Sequence, residues 1–349
     1  MKKVVVKAGS SVIAPNGKLD SLLIGRIVKS IVKAHDLGYK IALVSSGAIA
    51  CGLNKINLKK RPQDTHSLMA LSSLGQIALM DMYEAKFKRH SRHCAQVLLT
   101  WDDFDSRRRF MNAKHTINKL FAMGITPIIN ENDAVSFDEI RFGDNDKLSA
   151  LVGDLIGAER LIMLSNVSGL MDGGNLVRFV ECVDAKMFSL VRKKKSMFTA
   201  GGMEAKLQAA KTAALSGIRT VIANGREKSV IERLLKGEKI GTEFKPLKDI
   251  TKARKRWIAF SKKVKGAIYI DNGAKEAIAN KGKSLLSVGI EKTEGDFKKG
   301  DSVEILDYQG ASIGCGIVNY SCQELKDCRH KKLDREVIHR DDLVLGDKK

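Results

Sequence analysis

The stretch Val4-Val5-Val6-Lys7-Ala8-Gly9-Ser10-Ser11 decides the fold. Three β-branched residues in a row mark a short strand, Gly-Ser-Ser marks a turn, and an amphipathic stretch from about Leu19 to Leu37 follows. The reading is strand, glycine turn, helix. The same order recurs downstream. Ile41–Val44 runs into Ser45-Ser46-Gly47, Ala95–Leu99 precedes a helix-like stretch from about Ser106, and Thr126–Ile129 precedes Asn130–Asp133. Leu161–Leu164 and Thr220–Ala223 add two more strands, with helix-like Met203–Ser216 leading into the second. Such alternation predicts an α/β layered domain around a mainly parallel sheet over residues 1–245.

The pattern changes after Lys245-Pro246. Residues 246–265 read as a basic linker. Residues 266–349 read as a small, mostly-β domain, with candidate strands at Ala267–Ile270, Ser302–Ile305, Gly314–Val318, Glu336–Ile338 and Leu343–Leu345.

Composition narrows the function classes. The chain has 349 residues, 61 Lys and Arg against 40 Asp and Glu, and 44% hydrophobic residues, which supply a packed core and exclude disorder throughout. No stretch approaches the roughly 18 apolar residues of a spanning helix. The opening residues, with lysines on both sides of three valines, do not make a signal-peptide core. Six cysteines without a Cys-x-x-Cys pair read as reduced thiols in a cytoplasmic protein. The formal charge of +21 raises the question of nucleic acid, but residues 266–349 carry 14 basic against 15 acidic side chains. The excess lies on the first domain and the linker, which suits a polyanionic nucleotide and an acidic substrate.

Chemistry concentrates where strands end, the place ligands occupy in such sheets. Lys7 ends the first apolar run, and Gly9, Ser10 and Ser11 let backbone N–H groups approach an anion. By itself that is ordinary turn chemistry; Ser45-Ser46-Gly47-Ala48 repeats it after the second strand. More informative are Ile129-Asn130-Glu131-Asn132-Asp133 and Phe142-Gly143-Asp144-Asn145-Asp146, two amide and carboxylate clusters flanking a hairpin expected at 134–141. They suit recognition of an amino acid's ammonium group and orientation of phosphate-binding lysines, and can also take Mg²⁺ directly or through water. Their plain alternative is helix capping. Thr199-Ala200-Gly201-Gly202-Met203 opens a helix carrying Lys206, so its free amides and a lysine face one anion. Two such lysines flanking a phosphate chain point to phosphoryl transfer.

Taken together, Val6–Ser11, Val44–Ala50, Gln96–Thr100, Pro127–Asp133 and Phe142–Leu151, extended by Arg254–Ile258 and Val337–Asp342, resemble the glutamate 5-kinase family of the amino acid kinase fold. The resemblance runs over nearly the whole chain and includes a C-terminal PUA domain. It implies a three-layer sandwich with a mainly parallel central sheet, and transfer of the ATP γ-phosphoryl group to the side-chain carboxylate of L-glutamate, the first step toward proline. It also implies roles. Lys7 and Lys206 would neutralise charge on the transferring group, and Asp146 would hold both. Gly9 and Ser10 would cradle phosphates, and Ser46, Asp133 and Asn145 would hold glutamate. Ser165, Asn166, Ala200, Gly201, Gly202, Met203 and Lys206 match positions that contact ATP, with Mg²⁺ accompanying the nucleotide and its direct ligands unassigned. Homodimers or tetramers and feedback by proline are implied by the same resemblance.

The chain departs from the family at Ser165-Asn166, where Thr-Asp is common, and at Thr199-Ala200, where Gly-Thr is. The loop after Leu170 is also short. These changes bear on nucleotide affinity rather than reaction class. Two rivals remain, an RNA-binding PUA protein with a degenerate kinase domain and a kinase acting on another small carboxylate; an inactive scaffold is a third. Sparse aromatics that do not interleave with the basic runs speak against nucleic acid. Lys7, Asp146 and Lys206 together speak for an enzyme.

Overall fold

The computed structural model describes residues 2–15, 18–58, 60–135, 145–191, 202–247, 264–327 and 333–345. The chain divides into two compact units, Met1–Asp249 and Ile250–Lys349. Residues 248–263, most of the expected linker and all of Arg254–Ile258, lie outside the described residues, as do 136–141 of the expected hairpin and 142–144.

In the first unit, β1 (Lys3–Ala8) sits at the centre of an eight-stranded sheet, between β2 (Lys40–Ser45) and β5 (Arg160–Ser165). The outer strands on one side are β4 (Thr126–Glu131) and the edge strand β3 (Cys94–Leu99). On the other side come β9 (Arg219–Asn224), β10 (Thr242–Phe244) and β8 (Phe179–Val180), after a small ribbon of β6 (Met171–Asp172) and β7 (Asn175–Leu176). All pairings are parallel except β9 with β10.

Val4, Val5 and Val6 are fully buried because a parallel sheet is covered on both faces, which is why its strands read as unbroken apolar runs. One covering layer contains α2 (Ser21–Asp36), α4 (Thr65–Lys88) and α10 (Val230–Leu235), whose Ile27, Tyr83 and Ile231 share a cluster with Val4 and Val6. Opposite lies α7 (Asn145–Ile156), whose Gly153 meets Val5, with α9 (Met203–Leu215) beside it. This is the expected three-layer sandwich. The remaining helices are α1 (Ser10–Ile13), α3 (Ala48–Lys55), α5 (Trp101–Asp105), α6 (Arg107–Ala122) and α8 (Ala185–Ser189).

Helices α3 and α4 cross at unusually short range. A Cβ on Gly75 would land on the Ala48 carbonyl, and one on Gly52 would land on the Leu71 carbonyl. Only glycine allows this approach. The crossing pins α3, and with it the Ser46-Gly47 turn that precedes it. In α4 the buried stripe is apolar towards the C-terminus, at Leu79, Tyr83 and Phe87, but polar towards the N-terminus, at Ser72 and Gln76.

The second unit is a five-stranded sheet in the order β12 (Ile290–Gly295), β11 (Val264–Ile270), β13 (Ser302–Asp307), β14 (Ser312–Ile317), β15 (Leu343–Leu345), with α11 (Asn272–Ala279) and α12 (Cys322–Asp327). Its core gathers Ile268, Val303, Ile305, Val337 and Ile338. Glu336–Ile338 forms no strand there: Ile338 makes a single bridge to Leu285, because both Val337 and Ile338 point into the core. The strand β12 has too little apolar alternation in Ile-Glu-Lys-Thr-Glu-Gly to be legible beforehand.

Candidate active site

The site lies at the carboxyl ends of β1, β2, β4 and β5. Lys7 is the penultimate residue of β1, Asp146 lies in the first turn of α7, and Lys206 lies in the first turn of α9. The fold brings all three together. Lys7 Nζ is 2.6 Å from Asp146 Oδ1, and Lys206 Nζ is 2.8 Å from Asp146 Oδ2. All three are buried, Asp146 completely. Burial pushes the Asp146 carboxyl towards its neutral form, but the ammonium groups of Lys7 and Lys206 outweigh that and hold it below the ordinary carboxylate range. The cluster of two ammonium groups and one carboxylate keeps a net positive charge, which a bound anion would complete.

Small residues and helix starts adjoin this bridge. Gly9, the residue before α1, lies against the Lys7 amine, so that a Cβ there would come within 3.3 Å of Nζ. Ser10 begins α1 and is half-buried. Ser165 ends β5 beside β1, buried, with its hydroxyl 3.5 Å from the side-chain oxygen of exposed Asn166. Gly202 precedes α9, and its carbonyl accepts the Lys206 backbone N–H. Met203 is the first residue of that helix. Ala200 and Gly201 lie outside the described residues.

A second cluster adjoins it. Asn145, beside Asp146 at the start of α7, has three acceptors around the two hydrogens of its Nδ2: the Ser46 hydroxyl at 3.0 Å, the Ser45 carbonyl at 3.2 Å and Asn130 Oδ1 at 2.9 Å. Ser46 N–H in turn donates to the carbonyl of Ala8, tying this turn to β1. Asp133 is held differently, accepting the Ser72 hydroxyl at 2.5 Å. Burial raises the Asp133 carboxyl above its usual range, against the opposing pull of that hydroxyl and of the Arg61 guanidinium. A cavity of ≈ 230 Å³ opens beside it, lined by Ser72, Gln76, Gln96, Glu131 and Asp133 among others.

Sequence reading named Lys7, Asp146, Lys206, Ser46, Asn145 and Asp133, and missed Ser72, Gln76, Gln96 and Arg61. The signal for Ser72 and Gln76 was present: they fall four residues apart on the stripe of α4 that is otherwise buried and apolar. A polar pair on such a stripe needs partners.

Comparison with known proteins gives the family. The Amino acid kinase family profile matches residues 2–224, and the PUA domain profile matches residues 266–339. The chain is 40% identical to a glutamate 5-kinase of Thermoanaerobacter sp. (strain X514), over 98% of this chain and 97% of that protein. It is 40% identical to one of Methylococcus capsulatus, over 99% and 97%, and 41% identical to one of Nitrosospira multiformis, over 99% and 98%. This chain belongs to the amino acid kinase family, in its glutamate 5-kinase group, and carries a PUA domain after the kinase domain.

Proposed function

We propose that the protein is a glutamate 5-kinase, which transfers the γ-phosphoryl group of ATP to the side-chain carboxylate of L-glutamate, giving L-glutamyl 5-phosphate and ADP. This is the first step of proline biosynthesis. The observation that carries the reading is the buried Lys7–Asp146–Lys206 bridge at the strand ends.

A glutamate carboxylate is ionised at neutral pH, its pKa being about 4.3, so the nucleophile needs no general base. Positioning and charge neutralisation supply the catalysis. Lys7 and Lys206 neutralise the transferring group, and Asp146 fixes both against their mutual repulsion. Gly9 and Ser10 cradle the phosphates; Ser165, Asn166, Ala200, Gly201, Gly202 and Met203 contact the nucleotide. Ser46, Asp133 and Asn145 hold glutamate.

Mg²⁺ fits this site as a companion of the nucleotide. Among the described residues no group of three or more His, Cys, Asp or Glu side chains is placed to cage an ion, and Mg²⁺ ordinarily binds through substrate phosphates and one or two carboxylates. Bound there, it would neutralise charge on the phosphates. Among the described residues no helix is long and apolar enough to cross a membrane. A cytoplasmic homo-oligomer, a dimer or tetramer inhibited by proline, completes the proposal.

The test is ADP release from ATP and Mg²⁺ with and without glutamate. Glutamate-dependent turnover is expected, and its absence from a folded protein would sink the reading. Adding proline to the same assay tests the feedback.

A further inference from the structure

Four side-chain amides form a chain from the edge strand to the substrate cluster. Gln76 Nε2 donates to Gln96 Oε1 at 3.3 Å, Asn130 Nδ2 donates to Gln76 Oε1 at 2.8 Å, and Asn145 Nδ2 donates to Asn130 Oδ1 at 2.9 Å. Gln76, Asn130 and Asn145 are all buried, while Gln96 is exposed on β3.

Which end of each amide is oxygen is settled by backbone groups of fixed polarity. The Glu131 N–H, which can only donate, lies 2.9 Å from Asn130 Oδ1; the Ser45 carbonyl, which can only accept, lies 3.2 Å from Asn145 Nδ2. Asn130 must then offer its NH₂ to Gln76, which must answer with an oxygen. One atom is left over. Asn145 Oδ1 is fully shielded from solvent and has no hydrogen-bond donor among the described residues, on a side chain only 8% exposed. Such an acceptor is costly to bury unless a donor arrives. The only donor group that glutamate carries is its α-ammonium, because both carboxylates are acceptors at neutral pH.

We propose that Gln76 is a positioning residue: by accepting from the Asn130 NH₂ it matches the polarity that the Glu131 N–H and the Ser45 carbonyl impose, and holds the amide chain in the place where Asn145 presents its carbonyl oxygen to the substrate ammonium. The chain thereby selects an amino acid over the matching dicarboxylate without an amino group. With Gln76 absent, the Asn130 NH₂ loses its acceptor, and the orientation of Asn130 and Asn145 is held at one end only. Gln76 touches neither reacting group, so its loss acts on substrate selection and not on phosphoryl transfer.

This inference rests on the glutamate kinase reading, and the experiment separates the two. Wild-type protein is first assayed for glutamate-dependent ADP release; failure there removes the kinase reading. With active wild type, Gln76→Met and Gln76→Ala are compared with it for glutamate KM, ATP KM, kcat, and the inhibition constant of glutarate, the desamino analogue. Gln76 lines the cavity, so Gln76→Ala leaves space that water fills and keeps a folded variant available. The expected result is a glutamate KM raised roughly tenfold, with kcat, ATP KM and the glutarate constant within about twofold of wild type. Gln76→Glu, which keeps an acceptor oxygen for Asn130, should restore the glutamate KM to within about threefold. An unchanged glutamate KM in a folded Gln76→Met or Gln76→Ala protein overturns the proposal. So does an equal weakening of glutamate and glutarate, the mark of simple structural displacement.

Discussion

Lys7 and Asp146, 139 positions apart in sequence, meet at 2.6 Å with both side chains buried, and the same carboxylate takes Lys206 on its other oxygen. Both ammonium groups are buried against that one carboxylate, which pairs with each.

Asp146→Asn should therefore lower kcat at least about a hundredfold, because the two lysines lose the group that aligns them. Removing one partner of a buried ionic cluster also costs about 3–5 kcal/mol of stability. The direction of the shift sets the sign with pH. The carboxyl is held below its unfolded value of about 3.9, so its stabilisation is fully present above that value and is lost as pH falls through the lower folded one. Steady-state kinetics and thermal melting across acidic pH check both halves.

Asp133 behaves oppositely. Its carboxyl is raised by burial, so on acidification it takes up a proton before an ordinary aspartate does. If the ionised form holds the glutamate ammonium, KM for glutamate should climb in that range while kcat changes little. The Ser72 hydroxyl opposes the rise, so Ser72→Ala should move the KM inflection to higher pH. A KM profile that is identical in the two proteins removes this role for Ser72.

His35 gives a pH response that is purely structural. Its Nδ1 lies 3.0 Å from the Tyr39 carbonyl and its Nε2 lies 3.0 Å from the Thr126 hydroxyl, so the neutral tautomer with the proton on Nδ1 satisfies both. Burial lowers its pKa. The unfolded chain therefore binds the proton more readily. Stability should be complete above the unfolded value of about 6.5 and be lost progressively as pH falls from there through the lower folded one. His35→Gln should flatten that part of the melting curve.

Gly75→Val should be among the most damaging single changes in the first unit, since its side chain would have to occupy the space of the Ala48 backbone. Overpacking typically costs about 1–3 kcal/mol, and a backbone clash sits at or beyond the upper end. Because α3 comes directly after the Ser46-Gly47 turn, any folded fraction should also show a raised glutamate KM. Chemical denaturation and kinetics on the same preparation read both effects.

Much of this site could be read from the sequence because strand ends carry it. Lys7, Ser46, Asn130 and Asp133 come at the ends of unbroken apolar runs. A chain that buries Val4–Val6 on both faces must bring its next residues out at the end of the strand, where ligands collect. Glu336–Ile338 misled for the complementary reason. An apolar run reports burial, and burial in a small β domain does not require a strand partner.

The layered α/β architecture, the family, and the candidate residues for phosphate and substrate were legible in the sequence alone. The layering follows from local pattern and spacing, whereas the family and the residue roles follow from resemblance to known motifs. Only the tertiary structure decided how they meet: that Lys7 and Lys206 take opposite oxygens of one carboxylate, that Asp133 answers to Ser72, and that Gln76, marked in the sequence only as a polar residue on a buried stripe, completes a line of amides ending at Asn145. Hydrogen-bond polarity is set by the partner across space, and the local sequence marks that Gln76 needs a partner without naming one 54 residues away.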